Sequence, residues 1–217
     1  MHDRLPLFPL GLVLFPGEPV PLHIFEPRYK EMVRVCLDAD RPFGIVYASE
    51  DRLAEVGCTA RIQRVVTRYE DGRADIIAVG EERFRIERVH RDRPFLTGDV
   101  TPVEDVTAPP PVLPIRERVI ARHMKMIELA GETVRPGLYD AAGTMTSFVV
   151  ARRAGLDLDD RQRLLEMTSE PDRLEALDTH LVDLLRRVQR ARNVQTLARG
   201  DGHTGDLPNL DVPDPDA

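Results

Sequence analysis

The sequence predicts an α+β protein: a twisted, β-rich, barrel-like N-terminal lobe with one embedded helix, followed by a helical-bundle C-terminal lobe. Two textures and the break between them predict it. From Leu5 to about Glu104 the apolar residues come in short clusters punctuated by Pro, Gly and Asp, as strands and turns do. Beyond Thr107-Ala108-Pro109-Pro110-Pro111, which can neither continue a ladder nor start deep inside a helix, they recur at helical spacing. The expected units are a β-rich lobe at 1–106, a proline-rich connector at 107–112, a helical lobe at 113–199 and a disordered acidic tail at 200–217.

In chain order, Leu12 to Phe15 runs into Pro16-Gly17, and Val20 to Phe25 forms a second short run. Pro19 and Pro21 mark that run as an edge strand or an irregular strand start. Pro27 suits a first helical turn, and Tyr29, Met32, Val33, Cys36 and Leu37 then recur at helical spacing up to Asp40. Phe43–Tyr47 and Ala60–Tyr69 read as strands. Asp71-Gly72 turns the chain into Ala74–Val79 as a hairpin. Arg83–His90 alternates as a half-buried strand does, and Phe95–Val103 reads as the last strand.

In the helical lobe, Ile115 to Ala130 marks a helix ended near Gly131. Leu138 to Val149 marks a second stopped by Gly155, and Asp159–Met167 a short third. The fourth opens with capping-box spacing at Ser169 and Asp172. Leu174, Leu177, Leu181, Leu184, Val188 and Ala191 repeat along it as a seam, read as packing within its own lobe in preference to an intermolecular coiled coil.

Charge and motifs narrow the function classes. The 217 residues carry a net charge of −7, which offers no electrostatic footprint for nucleic acid or anionic lipid. The arginines, interleaved with acids, read as a solvated, ion-paired surface. No run of 18 apolar residues suggests a transmembrane span. Cys36 and Cys58 lack CxxC spacing, and no secretory leader is evident, so the expected location is cytoplasmic with both thiols free. Neither lysine, Lys30 or Lys125, follows a glycine, which excludes a Walker A loop from these residues. The three serines lie outside any G-x-S-x-G elbow, and the six histidines show no metal-ligand spacing. The expectation is no cofactor and no metal. A thiol enzyme built on Cys36, Cys58 and His23 stays open as an alternative, with Cys36 read first as a core residue.

Three segments then carry a family resemblance: Leu5-Pro6-Leu7-Phe8-Pro9-Leu10, Leu14-Phe15-Pro16-Gly17, and Pro21-Leu22-His23-Ile24-Phe25-Glu26-Pro27-Arg28-Tyr29. Phe43-Gly44-Ile45-Val46, Gly57 to Ile62, and Gly80 with Arg83-Phe84-Arg85-Ile86 follow in order. Together they resemble the N-terminal domain of Lon-type proteases over roughly residues 5 to 195. The resemblance implies a non-catalytic module that recognises unfolded or tagged polypeptides, with any protease or ATPase supplied in trans. Homo-oligomerisation is a third option, through the leucine seam. A recogniser of unfolded chains needs exposed apolar surface or a free strand edge. Phe8, Phe15, Phe25 and Tyr29 are the expected groove residues, with Arg28 at the rim; the competing reading places the aromatics in the core and Arg28 in a structural ion pair.

Overall fold

The structure, a computed structural model, describes residues 4–106, 113–135, 137–140 and 145–200. The connector at 107–112 and the tail at 201–217 lie outside the described residues. Six strands, β1 (Leu5–Leu10), β2 (Pro19–Ile24), β3 (Phe43–Tyr47), β4 (Val56–Arg68), β5 (Ala74–His90) and β6 (Leu96–Pro102), form one sheet in the order β2-β5-β4-β3-β1-β6. A further β5–β6 pairing closes five of them into a ring and leaves β2 as an added edge strand. Its prolines fit that place, because only positions that donate nothing to the β5 ladder tolerate a residue without N–H. Helix α1 (Pro27–Asp38) connects β2 to β3.

Period-2 alternation divides the apolar residues between two cores. Leu5 and Leu7 of β1 join Val46, Ala54 and Phe84, whereas Phe8 joins Leu22, Ile24, Phe43 and the buried face of α1, formed by Tyr29, Met32, Val33 and Cys36. β5 is one 17-residue strand where the sequence suggests two, Ala74–Val79 and Arg83–His90. Gly80 lies at the expected break, where it pairs with Ala60 and the β4 ladder shifts register before Arg83 without ending the strand. It lets another part of the chain approach: a Cβ there would sit 2.3 Å from the Phe15 carbonyl oxygen. The Gly80 N–H donates to Glu18 O, and Gly17, at φ +70, donates its own N–H to Gly80 O.

The remaining elements are helical: α2 (Leu113–Leu129), α3 (Thr146–Ala151), α4 (Leu158–Glu166) and α5 (Glu170–Gly200). The expected helix from Leu138 to Val149 is shorter than its apolar spacing suggests. Gly137 has φ +73 and opens a turn that buries Tyr139 against His123, and the next described helix is α3 from Thr146; residues 141–144 lie outside the described ones. The Ser169 hydroxyl accepts the Asp172 N–H, as capping spacing predicts. Leu174, Leu177 and Leu181 are buried in a core shared with Ile115, Val119 and Phe148. Farther along α5 the seam thins: Leu184 and Val188 are only partly buried, and Ala191 is exposed.

A polar seam joins sheet to helices and corrects the reading of the arginines as a solvated surface. Arg173 of α5 is fully buried and Arg83 of β5 nearly so. Both pair with Asp105, and Arg173 also pairs with Glu170 at 2.8 Å and donates to Ser147 Oγ at 2.9 Å. Arg83 donates to the carbonyls of Leu165 and Met167. The two guanidinium groups lie over the Phe148 ring, 5.4 and 4.5 Å from its centre. Burial alone would raise the Asp105 carboxyl, but the hydrogen bonds and charges of Arg173 and Arg83 outweigh it and hold the group below the usual carboxylate range. Nearby, Phe15 stacks on Phe148 at 5.3 Å, and Arg161 covers Phe15 while pairing with Glu18 at 2.7 Å.

Candidate functional site: a cleft beside helix α1

α1 starts without a side-chain cap, and its Pro27 supplies the φ of a first helical turn. Tyr29, Met32, Val33 and Cys36 face inward, which turns Lys30, Arg34 and Asp38 toward the surface. Opposite stands the β4–β5 hairpin, whose turn is set by Gly72 at φ +80. Between helix and hairpin lies a cleft of about 500 Å³. Its apolar lining is Ile24, Val33, Leu37, Val65, Ala74 and Ile76; Lys30, Arg34, Arg68 and Arg73 line it beside Glu31 and Asp38.

An aromatic cluster borders this cleft. Phe25, just past β2, is 58% exposed. The His23 ring stacks on Phe25 at 5.9 Å and meets Tyr69, a cleft residue, edge-on at 6.1 Å. Asp75 fixes the group, bonding His23 Nδ1 at 2.6 Å and accepting from the Tyr69 hydroxyl at 2.7 Å. These bonds, His23 first, lower the Asp75 pKa, and the same carboxylate raises that of Tyr69.

Of the five residues expected to form a groove, Phe8, Tyr29 and Arg28 touch in series, but the five do not line one surface. Phe8 and Tyr29 stack on each other at 4.1 Å inside the sheet–α1 core. Phe15 is fully buried against the helices. Their side chains support the surface from beneath and do not line it. Phe25 and Arg28 are at the surface, where Arg28 pairs with Glu26 at 2.8 Å and lies over the Tyr29 ring. The hairpin wall, Val65, Arg68, Tyr69 and Arg73, escaped sequence reasoning. One signal was available: Val66 and Tyr69 are large apolar residues in a segment otherwise patterned for solvent.

The thiol alternative lacks its chemistry here. Desolvation pushes Cys36 up to about 11 and Cys58 up to about 12, so both are protonated at neutral pH. The His23 ring is committed to Asp75, and among the described residues no hydrogen bond joins it to either thiol. Among the described residues there is also no cluster of three or more His, Cys, Asp or Glu placed to hold a metal, and no helix long and apolar enough to cross a membrane.

Compared with known families, residues 4–183 match the ATP-dependent protease La (LON) substrate-binding domain. The chain belongs to the Lon substrate-binding domain family. Its relatives include the Lon protease of Methylocella silvestris, 26% identical over an alignment that covers 96% of this chain and 30% of that protein. The Lon protease of Cytophaga hutchinsonii is 32% identical over 112 residues, 47% of this chain and 14% of that protein. Protein cereblon of Danio rerio is 36% identical over 102 residues, 41% of this chain and 24% of that protein. The chain thus spans less than a third of each of these relatives. Among solved structures, a Lon N-terminal domain protein from Xanthomonas campestris superposes with a TM-score of 0.62 at 27% identity, covering 81% of this chain and 96% of that one. The N-terminal domain of the Mycobacterium avium complex Lon protease also gives 0.62, at 18% identity over 83% of this chain and 99% of that one; it shares the fold.

Proposed function

We propose that this Lon substrate-binding domain is a non-catalytic polypeptide-recognition or adaptor module, and that the cleft beside α1, with Phe25 at its edge, takes apolar segments of unfolded or tagged polypeptides. The observation that carries the reading is the open apolar floor next to an exposed aromatic cluster. Non-native chains offer apolar side chains that native proteins bury. Strand addition at β2 is the less favourable route, because Pro19 and Pro21 leave its free edge short of donors. The ordinary consequence of recognition is delivery to a protease or ATPase, supplied in trans or on a longer chain. Two free, buried cysteines suit a reducing cytoplasm, and the net charge of −7 disfavours nucleic acid as ligand.

Anisotropy of a fluorescent, permanently unfolded protein against its native counterpart, with and without ATP, tests the reading. The expected result is selective, ATP-independent binding of the unfolded form that weakens in Phe25→Ala. Binding of neither form up to about 50 μM, an affinity near −6 kcal/mol, overturns it.

A further inference from the structure

Resting on that polypeptide-binding reading, we infer that the cleft selects by charge: its ligand class is the extended apolar segment flanked by acidic side chains. The observation is which charges around the cleft are already committed. Arg34 is shared by Glu31 at 2.9 Å and Asp38 at 3.2 Å, so one guanidinium serves both acids that line the cleft and one carboxylate charge is left over. Arg73 is paired with Asp71 at 2.6 Å. Two cations are left. Lys30 Nζ donates to the main-chain oxygen of Asp71 at 2.8 Å, and its charge also reaches the Asp71 carboxylate, which Arg73 already pairs. Arg68 makes no ion pair or side-chain hydrogen bond among the described residues.

The charge at the cleft is therefore positive by a small margin, with Lys30, Arg34, Arg68 and Arg73 against Glu31, Asp38 and the neighbouring Asp71, in a chain whose net charge is −7. Along an extended peptide, side chains alternate in direction. One apolar residue can therefore face the partly exposed floor of Leu37, Val65 and Ala74 while neighbours reach outward to Lys30 and Arg68. Acidic neighbours gain two charge-assisted contacts; basic neighbours meet like charge.

The test uses the full chain and three labelled peptides with one apolar core and acidic, uncharged or lysine flanks. The expected order of affinity is acidic, then uncharged, then lysine, with acidic roughly 3- to 10-fold tighter than uncharged at low ionic strength, as for two exposed ion pairs. Raising salt to about 0.5 M compresses the order. K30E/R68E reverses it, and R68E, which breaks no existing bond, moves it the same way by less. Equal affinity of acidic and uncharged peptides, or the same order in K30E/R68E, overturns the inference. Val65→Trp, which fills the cleft, separates the two levels. If all peptides bind alike and Val65→Trp abolishes binding, the polypeptide reading stands and charge selection falls; if no peptide binds the unaltered chain, both fall.

Discussion

Two arginine-rich regions of this molecule use the same side chain in opposite ways. In the seam between sheet and helices, Arg83 and Arg173 are buried, share Asp105 and lie over the Phe148 ring. At the cleft beside α1, Arg68 and Lys30 are at the surface; among the described residues Arg68 makes no ion pair, and Lys30 meets Asp71 through its main-chain oxygen and at longer range its carboxylate. A buried charge must be fully paired because its desolvation is costly, so the seam has no capacity left for a ligand. A solvated charge costs little to leave open. The contrast separates residues that hold the domain together from residues free to recognise something.

Breaking the seam should give the largest effect. Arg173→Ala leaves Glu170 without its cation beside a void and Asp105 with Arg83 alone, and a loss of about 3–5 kcal/mol in urea unfolding is expected. Arg68→Ala should change stability by less than about 0.5 kcal/mol. Equal costs would erase the distinction. The two phenylalanines sharpen it next: Phe148→Ala should cost about 3–5 kcal/mol, whereas Phe25→Ala should leave the melting temperature unchanged and reduce binding of unfolded protein roughly 10-fold, as loss of an exposed aromatic anchor does.

A third prediction concerns pH. Desolvation lowers the buried His123 to about 4, so the fold holds it neutral while the unfolded chain titrates near 6.5. Between those values the unfolded state binds the extra proton, and stability falls as pH drops from about 6.5 to about 4, by up to about 3 kcal/mol. His123→Gln should flatten that part of the stability profile. Below it the sign belongs to Asp105: its depressed folded pKa contributes stability that is present above the unfolded value near 4 and lost as pH falls through the folded one. Asp105→Asn should weaken this acid limb. The smallest effect is kinetic: neither cysteine should react with iodoacetamide at pH 7 on the timescale of a free thiol, and both should react in urea.

Local order was legible in the sequence where a single element decides it. Pro19 and Pro21 marked the edge strand, Asp71-Gly72 the hairpin, and Ser169 the start of α5. Two boundaries misled. Gly80 resembles a strand break, yet it serves the approach of Phe15, a residue far away in sequence. The apolar residues from Leu138 to Val149 have helical spacing, yet a turn and a short helix carry Leu138, Tyr139, Phe148 and Val149 to the core and leave Met145 exposed. The seam was invisible for the same reason: Arg83, Asp105, Ser147 and Arg173 have no local pattern, and only the fold puts them together. For the proposed binding face, Phe25 could be named from sequence, but its neighbours come from the hairpin. Alternation alone cannot tell an aromatic that faces a core, such as Phe8, from one that faces water.

Hydrogen–deuterium exchange of the full chain, with and without a saturating unfolded polypeptide, tests the central claim most directly. Protection concentrated in residues 23–38 and 65–76, with the seam helices α3 and α4 unchanged, is the result predicted for a ligand seated in the cleft beside α1. Protection confined to α2–α5, with α1 and the hairpin exchanging as in the free chain, would contradict it.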